Sequence, residues 1–112
     1  MVENLVMSPP FTPEQLAAWK KEFGKDSIHD LAIHSQSDKQ LYYVYRAPDR
    51  KVTAAFTTMV VKDIDRAVEF LVKNCTLMGD ITVALTESDV LLSLSRNIQE
   101  KLQTKAEETK KL

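Results

Sequence analysis

The chain has 112 residues, 44% of them hydrophobic and 28% charged, with 15 basic and 16 acidic side chains and a formal net charge of −1. That length supports one domain with a single core, and that apolar fraction excludes wholesale disorder. Well-mixed, nearly balanced charge removes the strong positive field on which nucleic-acid binders depend, so nucleic acid is not an expected partner.

Cys75 is the only cysteine, so no intramolecular disulfide can form, which fits a reducing compartment. The first seven residues are acidic and lack the long apolar core of a signal peptide. No apolar stretch approaches the ~20 residues a membrane helix needs. The expectation is a soluble, cytoplasmic protein with no membrane association. Two glycines are too few for a Gly-rich phosphate loop.

Residues 1–10, ending in Ser8-Pro9-Pro10, read as a flexible lead-in. Helix signals follow at once. Thr12 suits an N-cap, Pro13 the first helical position and Gln15 the far side of a capping box, while Phe11 and Leu16 are placed for a hydrophobic staple. This helix carries Leu16, Trp19 and Phe23 on one side, and Gly24 suits its C-terminal end. Residues 28–34 alternate imperfectly, and 41–46 are rich in strand formers. The polar stretch 35–40 between them predicts an antiparallel hairpin. Two strands are marginal in water and need a helix over one face, for which the first helix is the obvious candidate.

From Pro48 the period changes. Val52, Ala55, Phe56, Met59 and Val60 fall at helical spacing. Asp63 can cap a further helix whose apolar stripe runs from Ile64 to Cys75, ending before a Gly79-Asp80 turn. Residues 81–85 read as an extended segment or a third short strand. Thr86 or Ser88 can cap a long C-terminal helix carrying Val90, Leu91, Leu94, Ile98 and Leu102. Residues 103–112 are almost wholly polar and read as a charged tail or helix extension. The predicted fold is α+β, a single domain over 11–102 in which a small antiparallel hairpin, with or without a third strand, packs with three to four helices.

Few positions look chemical. Arg46, Pro48, Asp49 and Arg50 flank the strand-to-helix change. They read as a structural corner, with Pro48 starting the helix and Asp49 in its first turn, or as an anion site formed by arginines and free helix-start amides. The corner is the favoured reading. His29 and His34, five apart in a strand, fall on opposite faces and cannot chelate one metal; with Cys75 on an apolar stripe, no metal site is expected. No nucleophile–base order or paired-carboxylate spacing stands out, so neither catalysis nor a cofactor is expected. Tyr42, Tyr43 and Tyr45 can pack across strands, contact a partner or stack bases. Tyr43 and Tyr45 are candidate partner-binding residues. So are Leu91, Leu94, Ile98 and Leu102, a seam that suits either the core or an intermolecular packing line.

The succession "YRAPDRK", "AVEFLVKNCTLMGD" and "DVLLSLSRNIQEKL" resembles small phage and prophage proteins of the tail-assembly-chaperone type. The matching points are Pro48, Asp49, Arg50, Asn74, Cys75, Gly79 and Asp80, within a stretch from Tyr42 to Leu102 that covers a little over half the chain. The resemblance implies a non-enzymatic adaptor that binds the tape measure protein and other tail proteins in the host cytoplasm and self-associates as a homo-oligomer. Two other readings stand beside it. One is a minor structural phage component, a connector or tail-completion protein; the other is a small nucleic-acid-binding regulatory module using the tyrosine strand and arginine corner.

Overall fold

A computed structural model of the protein describes residues 11–106, with side chains described as far as residue 102. The lead-in over 1–10 and the end of the tail over 107–112 lie outside the described residues. The first helix, α1 (Pro13–Phe23), is capped as its sequence predicts. The Gln15 amide donates to the Thr12 hydroxyl at 3.1 Å, and the Thr12 amide donates to the Gln15 side-chain carbonyl at 2.9 Å.

Strands β1 (Ile28–His34) and β2 (Gln40–Arg46) form the predicted hairpin, antiparallel and in register from Ile28 opposite Arg46 to His34 opposite Gln40. The connecting turn places Asp38 at φ 66°, a left-handed conformation that Asp tolerates better than most side chains. Helices α2 (Arg50–Lys62) and α3 (Ile64–Cys75) follow as a helical hairpin. Its elbow is Asp63, whose amide ends α2 on the Met59 carbonyl and whose carboxylate accepts from the Arg66 amide to start α3.

The third strand is not where the sequence placed it. β3 is Thr76–Met78, leaving α3 directly and pairing antiparallel with β2 across an irregularity at Val44/Tyr45. The sheet order is β1-β2-β3. Residues 81–85, expected to be extended, instead lie in a short helix, α4 (Ile81–Thr86). Asp80 caps it by accepting from the Val83 amide, and Ala84 faces the core. One cap and one buried turn outweigh the β-branched composition here.

The last helix, α5 (Ser88–Ala106), has Ser88 as its first residue, while Thr86 is the last residue of α4. Glu87 closes α4, its amide donating to the Val83 carbonyl at 2.9 Å, and its own carbonyl accepts from the Leu91 amide at 3.0 Å in the first turn of α5. The α+β class and the long C-terminal helix are as expected; α4 brings the helices among the described residues to five.

The two faces of the sheet carry different loads. Residues 29, 31 and 33 of β1 lie opposite 45, 43 and 41 of β2 on one face. Ile33, Tyr43 and Tyr45 there join one apolar cluster with Val52 and Phe56 of α2, Leu71 and Cys75 of α3, Ala84 of α4, and Val90, Leu94 and Ile98 of α5. Helix α1 takes the other face and buries none of its residues fully. Phe11 stacks on Tyr42 at 6.4 Å, and the Phe23 ring lies beneath the Arg46 guanidinium at 4.9 Å. The α1 segment thus follows β2 from Tyr42 to Arg46. The hairpin's principal cover is the helical layer on the opposite face.

Candidate functional site

Strand β2 runs straight into the arginine corner through Ala47 and Pro48, both buried. Pro48 does not begin the helix. It precedes Asp49, which is the N-cap rather than a first-turn residue and accepts from the Val52 amide at 2.9 Å. That bond, with the charge of nearby Arg46 acting in the same direction, holds the Asp49 carboxyl below the usual carboxylate range.

Arg46 is the centre of the corner. Only 12% of its side chain is exposed. Nε donates to the Asn74 carbonyl at 3.3 Å, Nη1 donates to the Asp49 carboxylate at 3.3 Å, and the guanidinium lies over Phe23. One planar cation therefore joins the end of α1, the start of α2 and the last turn of α3, where positive charge also complements the helix dipole. Its donors face inward to the protein, which favours the corner over the anion site. Arg50, the first residue of α2, is exposed and makes no such tie among the described residues.

Asn74, Cys75, Gly79 and Asp80 lie at the end of α3 and in the turn after β3. Asn74 supplies the carbonyl that Arg46 grips, and its own side chain donates to the Phe70 carbonyl at 2.8 Å. Cys75 is fully buried, and burial pushes its thiol up to about 11, far from a reactive thiolate. Gly79 adopts φ +128° against the Tyr43 ring, and the Tyr43 hydroxyl donates to the Asp80 carbonyl at 2.7 Å.

Both candidate tyrosines point inward. Tyr43 is wholly buried and Tyr45 nearly so, and burial raises each phenol to about 12. Neither ring is available to a partner or a base in this fold. Tyr42, on the α1 face, donates to Asp30 at 2.8 Å. Leu94 and Ile98 are likewise fully buried, with Leu91 and Leu102 partly buried against the same cluster. The seam on α5 thus faces its own domain. Period alone identified an apolar seam but could not say which surface it meets.

The exposed large apolar side chains lie elsewhere. Val61 is 84% exposed and Ile64 59%, one on each side of the Asp63 elbow, and Leu92 on α5 is 55% exposed. Sequence reasoning missed them because Ile64 falls at the end of an apolar stripe and Val61 follows one. The signal was their place beside Asp63, at the end of a helical hairpin where neither neighbour covers them.

A groove of about 450 Å³ lies where α1, β1 and α5 meet, lined in part by Leu16, Lys20, His29, Asp30, Asn97 and Lys101. His29 there is held below its ordinary value by burial first and by Lys101, with Asp30 opposing. His34 is on the opposite face, bonded to Asp38 at 2.7 Å. Among the described residues no group of three or more His, Cys, Asp or Glu could hold a metal ion, and no helix is long and apolar enough to cross a membrane.

A second cluster fastens the hairpin turn to the joint between α4 and α5. The Gln36 amide donates to Asp89 at 2.8 Å, Ser37 donates to Glu87 at 2.6 Å, and Lys39 pairs with the same Glu87 carboxylate. The Lys39 and Ser37 bonds hold the Glu87 carboxyl below its usual range, the Lys39 bond most. This is a structural clamp between two halves of the chain.

No protein-family model, curated protein or solved structure matches the chain.

Proposed function

We infer that the protein is a non-enzymatic binding protein, an assembly chaperone or adaptor of the phage-tail type that acts in the host cytoplasm on the tape measure protein and other tail proteins. The phage context rests on the sequence resemblance. The observation that supports a binding role is the apolar elbow of Val61 and Ile64, exposed at the tip of the α2–α3 hairpin and held out by the Arg46 corner at the hairpin's other end. A helical client with an apolar seam would cover these side chains, and many copies along a long client would add modest contacts into avidity.

The test is capture of tagged protein from its native host during prophage induction, with the wild type compared with a Val61→Asp/Ile64→Asp variant. A long, helix-rich tail protein should come down with the wild type and be depleted at least tenfold with the variant. Recovery of the same proteins by both would break the assignment to the elbow. Presence of the protein in finished particles would turn the reading toward a connector or tail-completion component.

A further inference from the structure

The two edges of the sheet are unequal. β3 is three residues long and meets β2 irregularly, the short and interrupted form in which edges are usually protected. β1 is seven residues long, is regularly paired along its whole length, and contains no Lys, Pro or Gly. Its phase can be read from the bonds that flank it. The Ser35 amide donates to the Lys39 carbonyl and the Ala47 amide donates to the Ser27 carbonyl. Alternation from those two pairs turns the backbone groups of residues 29, 31 and 33 toward β2. Those of Ile28, Asp30, Ala32 and His34 point away from the sheet, and among the described residues they have no backbone partner. The groove between α1 and α5 includes Ile28, His29 and Asp30 in its lining.

We propose that this edge pairs with the β1 edge of a second copy, antiparallel about a two-fold axis at Ala32, to make a continuous six-stranded sheet. Three registers keep the outward groups facing each other near the middle of the strand. An axis at Asp30 opposes two carboxylates and is unfavourable. An axis at Leu31 sets Asp30 against Ala32 and His34 against Ile28, giving neither polar side chain a polar neighbour. The axis at Ala32 sets Asp30 of each copy opposite His34 of the other, a carboxylate facing an imidazole, formed twice through the atoms not already used by Tyr42 and Asp38, and Leu31 opposite Ile33 on the other face. It also puts the smallest side chain of the strand where two identical residues must meet. Asp30 and His34 are both exposed, and the register forms about six main-chain hydrogen bonds.

The test uses the full chain in sedimentation equilibrium with amide exchange. Each chain is 12.7 kDa, and the expected species is twice that mass. In the dimer the amides of Asp30, Ala32 and His34 should gain protection as concentration rises, while those of Leu31 and Ile33, bonded to β2 in either state, should not change. Ala32→Pro removes an outward donor without touching the β1–β2 ladder and should leave a folded monomer. Should that variant fail to fold, charge decides: Asp30→Lys and His34→Glu should each weaken the dimer at least tenfold, and the double variant should recover most of the loss. A wild type that stays monomeric at its highest soluble concentration would overturn the proposal. So would a dimer without the alternating protection, or binding of extended peptides by a chain that does not self-associate.

Discussion

A Cβ on Gly79 would lie 2.2 Å from Cδ1 of Tyr43 and 2.9 Å from the Tyr42 carbonyl oxygen, and Gly79 adopts φ +128°. Glycine is therefore required twice over, by backbone conformation and by the ring on top of it. Gly79→Ala should destabilise the fold by about 2–4 kcal/mol, through strain in a conformation that L residues rarely adopt and displacement of a wholly buried ring. Tyr43→Phe, which loses only the bond to Asp80, should cost about 1 kcal/mol. Urea unfolding of the two variants measures both, and equal costs would refute the steric account.

At the corner, Arg46 acts through a planar group that meets three helices. Arg46→Ala should cost about 2 kcal/mol, and Arg46→Lys should recover less than half of it, because an ammonium cannot stack on Phe23 and donate in two directions in one plane. Arg50→Ala should change stability by less than about 0.5 kcal/mol. Thermal unfolding of the three separates a scaffold role from a general need for positive charge.

Tyr43 and Tyr45 hold their protons more tightly folded than unfolded, each with a pKa raised to about 12. Their contribution is fully present below the ordinary phenol value of about 10 and is lost as pH rises toward 12. Alkaline titration followed by tyrosinate absorbance should therefore show late ionisation that coincides with loss of helical circular dichroism. Ionisation of these two rings near pH 10 in a folded protein would contradict their burial.

Asp49 gives the opposite sign. Its folded pKa is depressed, so its contribution is present above the unfolded carboxylate value and is lost as pH falls through the folded one. Asp49→Asn keeps a capping side chain and should flatten part of the acid limb of the stability profile. Asp49→Ala loses the cap and should cost about 1 kcal/mol at neutral pH. Acid unfolding at several pH values distinguishes the two.

Much of this architecture was legible in local chemistry. The Thr12–Gln15 box, the turn after His34, the period change after Pro48 and the Asp63 elbow each depend on neighbours within four residues, and each was placed from sequence. What was misplaced depended on distant partners. Residues 81–85 have a strand-like composition, but burial of Ala84 and the Asp80 cap make them helical. Tyr43, Tyr45, Leu94 and Ile98 read as candidate partner-binding residues but are buried in their own core, because which surface they meet is decided by elements far away in sequence. Arg46 was seen as part of a corner, whereas its three-way contact exists only after α1, α2 and α3 have assembled.

The clamp on the hairpin turn carries a consequence for how the chain is made. Gln36 and Asp89 are 53 residues apart, and Ser37 and Glu87 are 50 apart. Tyr43 and Tyr45 share their cluster with Val90, Leu94 and Ile98. During synthesis the β1–β2 hairpin emerges early but has neither its clamp nor the Val90, Leu94 and Ile98 part of its cover until α5 has been made, and closing loops of that length slows assembly. Until then the tyrosine face and the unprotected β1 edge are exposed together. The domain is thus committed to folding late, around its last helix, and the interval before α5 emerges is when a nascent chain is most prone to aggregate.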